Sequence, residues 1–212
     1  MNALDHIAII APSLAEGVAH VRESLDIDVP FGTRHPYMGT HNHRLQLGDD
    51  VYLEIVARDP DGPDPRRSRW FGLDDRTQVR ADWEAGRRLR GWVARTEELD
   101  RILAAYPHVF GEAVALPPQK PEFAFSIPQD GTLPLGGAAP SFIDHRGAPT
   151  SMAEIPDRGA RLVSFRLEHP DPTAVSALYR AIDIHRCPTI HSASALRYAA
   201  EIETPSGLRV LS

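Results

Sequence analysis

Between Gly39 and Ala57 the chain reads GTHNHRLQLGDDVYLEIVA. Two histidines, an asparagine, an arginine and a glutamate crowd into a segment with the pattern of a β-hairpin, turning at Gly48-Asp49-Asp50. A hairpin that builds core has little use for such groups. They suit a site for a metal or a polar ligand. Strand alternation sorts them. Leu45 and Leu47 share a face with His41 and His43, whereas Asn42, Arg44 and Gln46 share the other. In the following strand Val51, Leu53 and Ile55 lie opposite Tyr52, Glu54 and Val56. In LDHIAII, near the start of the chain, Ile7 and Ile9 lie opposite His6, Ala8 and Ile10. With the most apolar faces packed against helices, His6, Asn42, Arg44 and Glu54 are left facing a common cleft. A bulge would change these assignments.

The elements that position these residues follow from local pattern. LDHIAII is a strand ended by Pro12 and by Ser13 as a helix N-cap, with Ser13 and Glu16 at capping-box spacing. Leu14, Val18, Val21 and Leu25 then mark one face of a helix. A loop through Gly32, Pro36 and Gly39 precedes the hairpin. The strand-helix theme recurs in RGWVARTEELDRILAAY and in ARLVSFRLEHPDPTAVSALYRAIDI, which leads to a second hairpin, SALRYAAEIETPSGLRVLS. FAFSIPQ and PSFIDHR read as further strands. The repeating units run over roughly 1–58, 88–147 and 160–212. Residues 59–87 form a polar, proline-broken excursion with one short helix around Trp70 and a natural place as a lid. The whole reads as a single domain.

In the last unit the same alternation sets Val163, Phe165 and Leu167 on the packed face and Ser164, Arg166 and Glu168 on the other. Arg197 and Arg209 also fall opposite the apolar residues of their strands. A cleft carrying Arg44, Arg166, Arg197 and Arg209 favours an anionic or oxygen-rich small molecule. Net charge is −6, so no basic field invites nucleic acid or an anionic membrane. No apolar run reaches the roughly 20 residues of a membrane span. A single cysteine, Cys187, and an N-terminus without signal-peptide features fit a cytoplasmic protein.

LDHIAIIAPSL, RHPYMGTHN, GDDVYLEIVARDP and APSFIDHRG together resemble the glyoxalase-like branch of the vicinal oxygen chelate superfamily. The resemblance implies an α+β fold of repeated βαβββ modules. These form a curled, half-open mixed β-barrel with helices on the convex side. It also implies a divalent metal, commonly held by a histidine on the first strand and a glutamate on the last strand of a module. His6 and Glu54 match those places. Zn, Fe, Mn, Ni or Co would suit them. A catalytic metal needs a third protein ligand. Asp144 is the candidate, with His145, or His41 on a bulged strand, as alternatives. The group can equally be absent, with His6 hydrogen-bonded to Glu54. The implied function is a lyase, isomerase or dioxygenase working on vicinal oxygens. Without a metal, Glu54 acts as general base with His6 as its partner, while Asn42 or Arg44 holds a substrate oxygen. The rival is a metal-free protein that sequesters a small molecule such as an antibiotic. Relatives that pair modules across two chains make a homodimer possible.

Overall fold

The computed structural model describes residues 2–148 and 151–212. Its centre is β1 (Asn2–Ile10), all nine positions of which are buried. Such a strand must be covered on both faces, and its near-continuous apolar run fits that place. Ser13 caps α1 (Leu14–Leu25), accepting from the Glu16 amide and donating to the Glu16 carboxylate. The chain then returns through β2 (Phe31–His35), β3 (Thr40–Gln46) and β4 (Tyr52–Arg58). β4 lies parallel to β1, so the sheet order in this half is β2-β3-β4-β1.

The second half repeats this wiring. It runs β5 (Leu89–Arg95), α3 (Leu99–Ala105), a single turn α4 (Pro107–Phe110), β6 (Glu112–Leu116), β7 (Phe123–Ile127) and β8 (Ser141–Asp144). β8 pairs parallel with β5, and β5 pairs antiparallel with β1. The two βαβββ modules thus meet at their first strands and form one curled sheet, β2-β3-β4-β1-β5-β8-β7-β6. Sequence pattern misses β2 and β6. Both are edge strands with largely exposed side chains and carry no apolar alternation.

The third unit departs from expectation. β9 (Arg161–His169), α5 (Pro172–Ala181), β11 (Thr189–Ser192), β12 (Arg197–Thr204) and β13 (Gly207–Leu211) keep the module's order of elements. Their pairing differs. β11, not the last strand, lies parallel to β9, and the sheet order is β11-β9-β12-β13. Only the two-residue β10 (Ile184–His185) joins the large sheet, beside the start of β1. The small sheet covers the convex face, where Phe165 and Tyr179 set their rings edge-on to Trp92. A bulge between Ser164 and Leu162 turns Val163 out to solvent, 58% exposed, and Leu162 packs against the core in its place.

Convex-side packing unites α1, α3 and the small sheet around Ile7, Ile9, Leu53, Ile55 and Trp92. A second apolar cluster fills part of the concave side. Ala8, Ile10, Val56, Val93 and Ile143 form its floor, and Trp70, Phe71, Leu73 and Val79 come down on it from the excursion. The excursion's main helix, α2 (Arg76–Glu84), begins after Trp70, which itself sits in a 3-10 turn.

Helix α1 packs close against the sheet at Gly17. A Cβ there would stand 2.5 Å from Ile55 Cγ2 and 2.9 Å from Ala11 Cβ. Gly17→Ala should therefore destabilise the fold by about 1–3 kcal/mol despite the gain in helix propensity. Urea denaturation of the two proteins measures this, and an unchanged midpoint would refute the packing described.

Candidate functional site

The concave side is divided. Its far end is filled by the second apolar cluster. Its near end opens as a cleft of about 1060 Å³, with His6, Asn42, Arg44, Tyr52, Glu54 and His145 at a polar end and Tyr37, Trp70, Phe71 and Phe123 as aromatic wall. The register explains the polar end. β1 and β4 run side by side with Ala8 opposite Glu54, which brings Glu54 close to His6, and Arg44 stands across from Glu54 on β3. His41 and His43 point away. His43 bonds to the Val29 carbonyl, and His41 lies 3.9 Å from Asp59.

One residue reaches this face against strict alternation. Between Leu4 and His6 the pairing of β1 with β5 slips by one residue, leaving Asp5 as a bulge. A bulge re-aims its side chain, and Asp5 consequently stands beside its own neighbour. Asp5 Oδ1 is 2.7 Å from His6 Nδ1, and Asp5 Oδ2 is 2.9 Å from His145 Nε2. The other imidazole nitrogen, His6 Nε2, lies 3.5 Å from Glu54 Oε2. Asn42 donates to Glu54 Oε1 at 2.6 Å and accepts from the Thr33 amide at 2.8 Å, so both ends of its amide are fixed. Tyr52 stacks on the imidazole, 4.4 Å between ring centres. The result is a chain His145–Asp5–His6–Glu54–Asn42, in which Asp5, His6, Asn42 and Glu54 are each at most 5% exposed.

Electrostatics fixes the charge states. Burial alone would push the His6 imidazole down. Hydrogen bonds and charge from Asp5 and Glu54 outweigh it and raise the group to about 9. Burial likewise disfavours both carboxylates, yet the histidines on Asp5, and His6 with Asn42 on Glu54, hold them below their ordinary range. At neutral pH the chain carries an imidazolium between two carboxylates. His35, expected in a loop, instead ends β2. It is buried against Trp70, bonds Thr40 and is pushed down to about 4 by burial, so it is neutral.

The remaining sequence candidates lie elsewhere. Arg166 and Arg197 sit on the small sheet, exposed to solvent, with Arg166 near Glu168 and Arg197 across from it. Arg209 is exposed on β13 of the same sheet. They do not line the cleft, because the third unit pairs into its own sheet. Asp144 faces away as well and accepts from the Arg146 amide in the turn after β8. Its neighbour Ile143 faces the cleft instead.

Among the described residues a divalent metal finds two donors here, His6 and Glu54, and no third, since the His145 Nε2 in the same cleft is taken by Asp5. The cross-strand neighbour of His6 on β5 is Val93, and β8 offers Ile143. Both ends of the Asn42 amide are occupied. Among the described residues no three His, Cys, Asp or Glu side chains are grouped to hold a metal ion. The donor set does not fit a catalytic centre of three protein ligands.

The charge states are measurable. A histidine raised from 6.5 to about 9 by folding adds stability that is complete below pH 6.5 and lost as pH rises through 9. Unfolding free energy should fall by on the order of 3 kcal/mol across that window. His6→Gln should remove this slope. The depressed carboxylates act oppositely, their contribution being lost as pH falls below the ordinary carboxylate range. NMR titration of the His6 ring reads the midpoint directly, and a value near 6.5 would contradict the chain.

Comparison with known proteins accords with this architecture. The model of the glyoxalase-like domain family matches residues 4–182. No curated protein sequence matches the chain. A crystal structure of a hypothetical protein from Staphylococcus aureus superposes with a TM-score of 0.57 at 11% identity, covering 100% of this chain and 99% of that one, a likeness of fold. Methylmalonyl-CoA epimerase from Mycobacterium tuberculosis gives 0.40 at 18% identity over 71% of this chain and 91% of its own. A Streptomyces coelicolor methylmalonyl-CoA epimerase in complex with 2-nitronate-propionyl-CoA gives 0.39 at 14% over 69% and 96%. No helix among the described residues is long and apolar enough to cross a membrane. The chain belongs to the glyoxalase-like domain family of the vicinal oxygen chelate superfamily, whose fold supports a role in binding or transforming a small molecule.

Proposed function

We propose that the cleft takes a small oxygen-rich or anionic carbonyl compound and moves a proton at the carbon beside the carbonyl, as an isomerase or lyase does, without a metal. The observation that carries this reading is the loosely held His6 Nε2. It is 3.5 Å from Glu54, whereas Nδ1 is clamped at 2.7 Å by Asp5. A charged imidazole with one firm and one slack bond can turn its free N–H toward a substrate oxygen. In that arrangement the Glu54 carboxylate accepts the proton as the C–H bond breaks. The electron pair moves onto the carbonyl oxygen, and the His6 N–H stabilises the enolate oxygen so formed. Arg44 supplies positive charge at the same end. Returning the proton to carbon completes an isomerisation, and expelling a leaving group from the next carbon completes an elimination. Asp5 keeps the imidazole charged and oriented throughout.

A second reading is a metal-free binding protein with no turnover. It is favoured by the depressed basicity of Glu54, since a carboxylate stabilised by His6 and Asn42 is a weak proton acceptor. The two readings separate in deuterated water. A panel of 2-oxo acids, 2-oxoaldehydes and acyl thioesters is screened by ¹H NMR for protein-dependent exchange at the carbon next to the carbonyl. The enzyme reading expects exchange that survives a chelator and falls by about 10²–10⁴-fold in Glu54→Gln. Binding without exchange, weakened in Glu54→Gln, establishes the second reading. Exchange abolished by chelator and restored by one metal would overturn both.

A further inference from the structure

A second cavity lies outside this cleft, beyond the carboxyl ends of the parallel strands β1 and β4. Its volume is about 1320 Å³, and it opens between the first turns of α1 and α2. Leu73 and Val79, which help fill the concave side, form its inner wall, and Leu14 forms part of its outer one. Four arginines line it, Arg58, Arg69, Arg76 and Arg80, in a chain whose net charge is −6.

Two of the four are already committed. Arg69 is buried and bonded to Asp64 and Asp74, and Arg80 grips both oxygens of Glu16. Of the cavity's own carboxylates, Asp64 is held by Arg69 and Asp59 is taken by Arg34 at 2.6 Å. Arg58 and Arg76 remain. Neither guanidinium makes an ion pair or a side-chain hydrogen bond among the described residues. Arg58 is half-buried on the last residue of β4, and Arg76 is exposed on the first residue of α2. Both are thus carried by rigid elements, which is how oxyanion-recognising arginines are best placed.

We propose that this cavity binds the phosphoryl group of a small organic phosphate. Arg58 lies near enough to Asp74 to help hold that carboxyl down, but neither guanidinium is tied up in an ion pair, and two such groups match the charge of one phosphoryl dianion, with planar forks that suit its oxygens. The volume far exceeds that of phosphate alone, and the apolar wall of Leu14, Leu73 and Val79 gives an organic portion something to cover. This site does not depend on the chemistry proposed at Glu54.

Isothermal titration at constant ionic strength, with inorganic phosphate and with glycerol 3-phosphate as probes, tests it on the full chain. Saturable binding is expected for both, tighter for the ester if the organic portion makes contact and equal if free phosphate is the natural ligand. Arg58→Gln and Arg76→Gln should each weaken binding at least tenfold, whereas Glu54→Gln should leave it unchanged. Arg76 is exposed, so its variant serves even if Arg58→Gln fails to fold. The proposal is overturned if neither probe saturates, or if binding survives Arg76→Gln. It is equally overturned if binding is lost in Glu54→Gln while both arginine variants retain it, which would move the anion to the cleft.

Discussion

The concave half of this molecule depends on keeping one imidazolium between two carboxylates where water scarcely reaches. Burying three charges is costly, and the arrangement stands only because every one of them is paired and bonded. Asp5 has two histidines, His6 has two carboxylates, and Glu54 has His6 and Asn42. Removing any one member strands a charge in a dry place, at a cost of about 3–5 kcal/mol by the usual behaviour of broken buried pairs. The surroundings follow from this requirement. Asn42 is orientated by the Thr33 amide so that its NH₂, not its oxygen, meets Glu54. Tyr52 roofs the imidazole on one face. The bulge at Asp5 exists at the one strand pair, β1 with β5, where it can bring a second carboxylate to the same histidine.

The two modules share a wiring but not a chemistry. In the first, concave positions carry His6, Asn42, Arg44 and Glu54. In the second, Val93, Leu116, Phe125 and Ile143 occupy that side, and the excursion's Trp70 and Phe71 pack on them. A symmetric half-barrel would present two like ends. This one presents a charged end and an aromatic end in a single cleft, so a ligand that is polar at one extremity and flat or apolar at the other fits it in one orientation. The same asymmetry leaves Val93 and Ile143, neither able to ligate a metal, at the second module's counterparts of His6 and Glu54.

Period-2 alternation made the first module legible. It separated Asn42 and Arg44 from His41 and His43 and put His6 with Glu54, because the pairings of β4 with β1 and with β3 run without a slip. It failed wherever the pleat breaks. Asp5 belongs by count to the opposite face from His6, and Val163 belongs by count to the core. In both places one extra residue in a ladder reverses the answer, and nothing in the residue types announces it. The arginines illustrate a different limit. Arg166 and Arg197 do lie opposite the apolar faces of their strands, but alternation cannot tell which sheet a strand joins. The third unit has the right order of elements and a different pairing, and pairing is decided by contacts far apart in the chain.

That third unit nevertheless bears on the cleft. The connection from β7 to β8 passes through Leu135, Gly136 and Gly137 with left-handed backbone, where no ladder partner is at hand for the carbonyl groups. Buried carbonyls must find donors, and here they come from the small sheet and its helix. Tyr198 donates to the Gly137 carbonyl and Tyr179 to the Ala138 carbonyl, each at 2.6 Å. Both hydroxyls are inside the convex core, where Trp92, Phe165 and Tyr198 fix the rings. The turn so pinned leads directly into β8, and β8 delivers His145 to Asp5. The small sheet therefore contributes no side chain to the cleft, yet it holds the strand on which the far end of the charge chain is mounted. A unit that stands outside the barrel thus braces the barrel's fourth central strand.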